Sequence, residues 1–296
     1  MEFMLHLYDS DTCRWTTKLV PLPVPERDRV LPVPDSATET LFHITTKVIM
    51  LGSTTIGWVD LWRGILFCNV LDEHPVLRDM PLPKPARCNR RTFCCGSPSP
   101  RRDITVVKPP EQQQLSTKYV EMGSYPRVEH SSPGSDEDSD DDASNIVHYW
   151  TATVWSMPVP IGSWNDWHKD CKIDVANIVV DNPRHCQLLL PPGSSIDLEK
   201  AKVTVRNLVT GHPTLGLGMD GHVAIYFFSK ANRRADGGWL IAVGVRDSKL
   251  QGIAELDVRK HVFFKRYFCA AGISKYLINA TGQAGTLVRS RFIRSK

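Results

Sequence analysis

Ile56-Gly57-Trp58-Val59-Asp60-Leu61-Trp62, a turn at Arg63-Gly64, Ile65-Leu66-Phe67-Cys68-Asn69-Val70-Leu71, a loop Asp72 to Pro75, then Val76-Leu77-Arg78-Asp79-Met80-Pro81-Leu82: these 27 residues decide the fold class. Each run is strand-length, rich in β-branched and aromatic residues, and bounded by turn formers. Connections this short join antiparallel neighbours, so the stretch predicts a three-stranded meander, near the size of most of one propeller blade. In its first strand, side-chain alternation puts Trp58, Asp60 and Trp62 on one face and Val59 and Leu61 on the other.

The same pattern extends outward. Leu5 to Tyr8, the turn Asp9-Ser10-Asp11-Thr12 and Arg14-Trp15-Thr16 read as a hairpin, giving a first β-meander half over 1–83. From 84 to 145 the chain turns to Pro, Ser, Gln, Arg and acid, a composition that buries too little apolar surface to offset its ordering entropy, so this basic and acidic low-complexity insert is expected to be largely disordered. Inside it, Asp103 to Val107 and Lys118 to Met122 form an island that reads as a further hairpin with a long connection. A second β-rich half of the same domain covers 146–285, with strands expected at 146–155, 175–180, 186–190, 222–229, 238–246 and 250–256, and a basic tail covers 286–296. Asp197 to Val209 fits both a helical face and, around Val203-Thr204-Val205, a strand.

Composition excludes whole classes. With 42% hydrophobic and 23% charged residues, 19 Gly and 21 Pro in 296, the chain is neither collagen, coiled coil nor wholly disordered. No run approaches the ~20 apolar residues of a membrane helix, and Met1 to His6 has no basic or long apolar leader. The protein is therefore expected to be intracellular, in cytoplasm or nucleus, with its eight cysteines reduced. The net charge of +4 hides an acidic tract: Asp136, Glu137, Asp138, Asp140, Asp141 and Asp142 lie within seven positions, and without them the rest carries +10. Ser135 and Ser139, each followed by acids, are candidate phosphorylation sites. The excess base, Arg87, Arg90, Arg91, Arg101, Arg102 and the tail, makes nucleic acid a conceivable though unsupported partner.

Tests for chemistry come out bare. Gly216-Leu217-Gly218-Met219-Asp220-Gly221 fits a nucleotide loop, but a strand and not a helix N-terminus follows it, so a glycine-rich turn is expected. The acidic tract fails as a calcium loop, with Asp141 where Gly and Val147 where Glu is needed. His168 with Cys171, His185 with Cys186, and Cys88 with Cys94 and Cys95 lack zinc spacing. No nucleophile elbow, phosphate loop or zinc-protease helix occurs. Catalytic, metal-binding and cofactor residues are accordingly expected to be none.

Trp58-Val59-Asp60-Leu61-Trp62-Arg63-Gly64-Ile65-Leu66, followed by Cys68, Val70-Leu71 and Pro81-Leu82-Pro83, resembles the signature of a grass-expanded plant family known as domain of unknown function 1618, similar in layout to F-box-associated β-propeller domains. Tyr8 to Thr12 with Arg14-Trp15, Lys118 to Met122, Trp155, Trp164 to Asp170 and Trp239 to Val245 agree. Trp58, Asp60, Trp62, Arg63 and Gly64 are the signature residues, with a structural role. The resemblance implies further strands before the hairpin, so this copy reads as N-terminally truncated. The architecture expected is mainly β: antiparallel meanders arranged as an incomplete or irregular β-propeller-like fold with a disordered insert. The function expected is a non-catalytic protein-interaction module of unknown partner, with a nucleic-acid or chromatin-associated factor and a degenerate fragment as alternatives and an enzyme last.

Overall fold

A computed structural model describes residues 1–35, 37, 42–108, 114–128, 146–189, 204–206, 208–218, 220–231 and 237–257, with backbone alone at 126–128, 146–148 and 257. The first hairpin pairs β1 (Glu2–Asp9) with β2 (Arg14–Pro21) in a register running from Glu2↔Pro21 to Asp9↔Arg14. Asp9 closes its turn, accepting from the Asp11 amide at 2.9 Å and the Thr12 hydroxyl at 2.8 Å. A short helix α1 (Glu26–Val30) follows.

Three four-stranded antiparallel sheets come next, each a meander whose strands neighbour in chain order. The first holds β3 (Lys47–Met50), β4 (Thr55–Asp60), β5 (Gly64–Asn69) and β6 (Arg78–Pro81). The second holds β7 (Arg102–Val107), β8 (Ser116–Val128), β9 (Ile146–Pro158) and β10 (His168–Asp174). The third holds β11 (Val209–Leu217), β12 (Val223–Lys230), β13 (Gly237–Gly244) and β14 (Leu250–Asp257).

Side-chain alternation lets the first and second of these sheets pack on both faces. Leu66 and Cys68 meet Val20 and Leu22 of the hairpin on one face of the first sheet. On its other face Val59, Ile65 and Phe67 pack with Ile104, Tyr119 and Met157 of the second. The second sheet's far face, including Trp150 and Val154, meets Ile225, Phe227 and Ile241 of the third, with the Trp150 and Phe227 rings 4.7 Å apart. Each fully buried side chain of this size contributes roughly 1.5–3 kcal/mol. The first strands of all three sheets converge on Asp103: its Oδ1 pairs with Lys47 Nζ of β3 at 2.8 Å, and its Oδ2 accepts from the Leu215 amide of β11 at 2.9 Å.

The fold is mainly β, as the sequence implies, with differences that have local causes. β4 ends at Asp60, whose Oδ1 accepts from the Trp62 amide at 2.8 Å, so alternation stops there and Trp62 joins the core of Val59 and Leu61 instead of sharing a face with Trp58. The meander has a fourth strand, β3, ahead of it. The run 175–180 is not a strand: Asp174 caps a 3-10 turn over Val175–Asn177 by accepting from the Ala176 amide at 2.8 Å. Residues 186–189 belong to helix α2 (Pro183–Leu189), because Asn182 accepts from the Arg184 amide and proline is preset for a first helical position. Of the insert expected to be disordered, 84–108 and 114–128 instead carry a 3-10 turn at Arg87–Thr92 and strands β7 and β8, the island hairpin extended. Apolar Phe93, Ile104, Tyr119 and Val120 supply the burial that its average composition hides. The acidic tract with Ser135 and Ser139, the stretch 197–203 and the basic tail lie outside the described residues.

Candidate functional site

The Trp58–Gly64 stretch forms the seam between the first two sheets. Asp60, Trp62 and Arg63 are buried, while Trp58 is half-buried against the hairpin cluster. Gly64 is required by close approach: a Cβ there would stand 2.4 Å from the Met80 carbonyl oxygen on the paired strand. Asp60 also accepts from the Ile44 amide at 3.3 Å. Arg63 reaches the opposite way, donating to the Leu31 and Phe42 carbonyls and pairing with Asp28. It thereby ties the segment after α1 to the turn.

Beside it, the fully buried Arg27 is bidentate on Asp79, Nε to Oδ1 at 2.7 Å and backbone amide to Oδ2 at 2.8 Å, and its Nη1 lies 2.9 Å from His43 Nδ1. Arginine only donates, so His43 Nδ1 is the acceptor and the ring is neutral. Burial, then the positive charges of Arg27 and Arg63, pushes the His43 pKa down to about 3.

Arg102, on β7, grips the same turn from the second sheet. Its Nη1 donates to the Leu61 and Trp62 carbonyls at 3.2 Å each, and its guanidinium lies 4.8 Å from the Trp62 ring centroid and 5.8 Å from that of Phe93. Its Nη2 pairs at 2.7 Å with Glu121 Oε1, directly opposite on β8, both side chains being sealed from solvent. Glu121 also accepts from Asn89 Nδ2 and the Ala86 amide, each at 2.8 Å, and Arg101 holds Asn89 Oδ1 at 2.8 Å. Trp62 Nε1 donates to the Gly96 carbonyl at 3.0 Å. The network uses its ionised groups on one another and on backbone, which makes it a structural clamp.

Other residues singled out by sequence do not converge. Arg102 is buried in this clamp, so it leaves the basic set considered for nucleic acid; Arg87, Arg90 and Arg91 remain exposed on the 3-10 turn. Gly216, Gly218 and Gly221 lie at the end of β11 and in the turn to β12, where Gly218 donates to the His222 carbonyl at 2.6 Å. His168 and Cys171 sit on β10, His185 and Cys186 on α2. Among the described residues no three His, Cys, Asp or Glu side chains group as a metal site. Burial pushes the Cys94 and Cys171 thiols up to about 11, far from nucleophilic readiness.

One solvent-facing patch is apolar. On the outer face of the hairpin, Met4 (68% exposed) is paired with Leu19 (60%), and Tyr8 (52%) with Trp15 (68%), whose rings are 5.2 Å apart. His6 and Thr17 sit between the two pairs, joined at 3.0 Å. Two cross-strand apolar pairs on a hairpin face, flanking one polar pair, form the candidate interaction surface. Sequence reading placed Tyr8 and Trp15 on the hairpin without identifying the face, which follows from the Met4↔Leu19 register.

No curated protein and no solved structure matches the chain. The family model described as "Protein of unknown function (DUF1618)" matches residues 58–226, more than half of the chain, beginning at Trp58 of the seam and ending at Tyr226 of β12. With both the seam residues and the second sheet inside that match, the chain belongs to the DUF1618 family.

Proposed function

We propose that the protein is a non-catalytic interaction module, a propeller-like scaffold akin to F-box-associated plant domains, which acts inside the cell, in cytoplasm or nucleus, by docking a protein partner on the outer face of its hairpin. The observation that carries this reading is the exposure of Met4, Tyr8, Trp15 and Leu19 together on one face. Isolated exposed apolar residues are ordinary; a contiguous set with an aromatic pair is the composition of a binding hot spot. The propeller-like arrangement is supported by three successive four-stranded meanders whose first strands meet at Asp103. Support for a non-catalytic role comes from the internal use of Arg27, Asp60, Arg63, Arg102 and Glu121 described above.

The test places a benzophenone photocrosslinker at Thr17, the centre of the face, in the full chain and irradiates it in plant cell extract. The expected result is a discrete protein adduct that Leu19→Asp and Trp15→Ser abolish while the circular dichroism spectrum is unchanged. Adducts indifferent to both substitutions, or adducts to nucleic acid alone, refute the reading.

A further inference from the structure

The cover on one side of the first sheet thins in a single direction. Cross-strand partners share a face, so Leu66, Trp58 and Val48 lie on the side that the hairpin packs against, as do Cys68, Ile56 and Met50. Along both rows burial falls from β5 to β3: Leu66 and Cys68 are buried, Trp58 and Ile56 half-buried, Val48 56% and Met50 51% exposed. The hairpin thins the same way, since Val20 of β2 is buried whereas Phe3, Leu5 and Leu7 of β1 are half-buried. β2 is the strand held at the β6 end, its Lys18 Nζ donating to the Asp72 carbonyl at 2.5 Å and its Pro21 carbonyl accepting from the Leu77 amide at 3.0 Å. β1 is therefore the strand beside an uncovered strip floored by Val48 and Met50.

The backbone phase of β1 makes that strip a place for a strand. Met1 and Leu22 exchange hydrogen bonds, the Leu22 amide donating to the Met1 carbonyl at 2.8 Å and the Met1 amino group to the Leu22 carbonyl at 3.4 Å. Bonded and non-bonded pairs alternate along an antiparallel ladder, so Phe3, Leu5 and Leu7 bond to β2, while Glu2, Met4, His6 and Tyr8 turn N–H and C=O to the opposite edge. Pro21, the partner of Glu2, agrees: its carbonyl leaves the hairpin for Leu77. Among the described residues no strand pairs with the free edge of β1. β1 has no Lys, Pro or bulge to blunt that edge, whereas β2 ends on Pro21. Its carboxylates, Glu2 and Asp9, stand at its two ends.

We propose that this edge takes an extended segment of a protein partner as an added antiparallel strand. Residues of the segment that bond Glu2, Met4, His6 and Tyr8 share their outward face, so the alternate residues point down onto Val48 and Met50 and are apolar. Acids at both ends of β1 select Lys or Arg at the ends of the segment. A whole second copy does not fit, because its hairpin rides on a first sheet of its own, which would run into β3. The site is the edge and underside of the hairpin, so it goes beyond the docking role given to the outer face.

The test titrates the purified full chain into a fluorescein-labelled synthetic peptide as long as β1, alternating valine and threonine with a lysine at each end, and reads fluorescence anisotropy. Saturable binding is expected. It should weaken about tenfold or more when the threonine amides, which face β1, are N-methylated, and stay within about twofold when the valine amides are. Val48→Asp and His6→Pro, the latter removing only an outward N–H, should weaken it likewise at an unchanged circular dichroism spectrum, while Trp15→Ser on the outer face leaves it intact. No saturable binding, indifference to which amides are methylated, or loss with Trp15→Ser alone overturns the proposal. So does a dimer in sedimentation that Val48→Asp dissolves, which would make a second copy the occupant.

Discussion

Arg102→Met removes one end of the sealed ion pair between the first two sheets, and the loss can be worked out from what it strands. Glu121 would remain fully buried with its charge uncompensated by Arg102, and breaking a buried pair from one side costs about 3–5 kcal/mol. The Leu61 and Trp62 carbonyls lose their shared donor as well. Glu121→Leu strands Arg102 in turn, with Asn89 Nδ2 and the Ala86 amide, and belongs to the same range. An isolated buried pair replaced on both sides by apolar residues is often neutral or stabilising. Here the double variant leaves up to four backbone or amide groups without their bonds, at about 1–3 kcal/mol for each that stays dry, so it stays less stable than the native chain while losing less than the two singles together. Urea unfolding followed by tryptophan emission reads all four corners of the cycle, provided the transition is two-state. A double variant as stable as the native chain would show the pair to be dispensable filling and refute the clamp; single losses under about 1 kcal/mol would show that the pair is not sealed.

Gly64→Ala forces a Cβ against the Met80 carbonyl, a backbone atom that cannot swing aside, and is expected to cost about 3 kcal/mol in urea unfolding, the upper end of overpacking. His43 gives a pH signature: its folded pKa of about 3 lies below the ordinary 6.5, so its contribution is intact above pH 6.5 and is lost toward pH 3 at up to about 1.4 kcal/mol per pH unit. His43→Asn keeps an acceptor for Arg27 and should flatten that part of the profile; an unchanged difference between pH 6.5 and 4 would count against it. In thiol alkylation at pH 8, exposed Cys13 should label first and Cys94 and Cys171 last, since a thiol of pKa about 11 is ionised in about one molecule per thousand; early labelling of Cys94 would mean the seam opens.

The meander over 56–82 was legible because Gly, Pro and Asp punctuate each strand, and the late strands β12 to β14 for the same reason. β3 was not legible, since Lys47-Val48-Ile49-Met50 is only four residues long and is fixed as a strand by its pairing with Ile56 to Val59. β11 was hidden by Gly211 and Pro213, which the sheet accommodates at a register shift between Gly211 and Thr214. The helix at Pro183 was signalled by Asn182-Pro183, a cap and first-turn pair, and was overridden by reading Cys186 to Leu190 as an apolar run. The Arg102–Glu121 pair was within reach: pairing Asp103 with Val120 in the island hairpin and stepping back one residue sets Arg102 opposite Glu121. The alternation that would make them face a dry seam instead of solvent depends on packing between sheets, which a hairpin register alone does not contain.

The seam residues, which lie inside the family match, and the residues proposed to dock a partner are thus different sets with different physical duties. Asp60, Trp62, Arg63 and Gly64 fix one turn, and Arg102 reads that turn's carbonyls from the neighbouring sheet, so substitutions there act on folding and change every surface at once. Met4, Tyr8, Trp15 and Leu19 make cross-strand contacts on an outward face, where removal of a side chain leaves the clusters beneath intact. Substitutions on the hairpin face can therefore change that surface without disturbing the seam, which is what the proposed docking role requires. The separation is measurable: seam variants should lower the unfolding midpoint and lose any adduct in proportion, whereas Leu19→Asp and Trp15→Ser should lose the adduct at an unchanged midpoint.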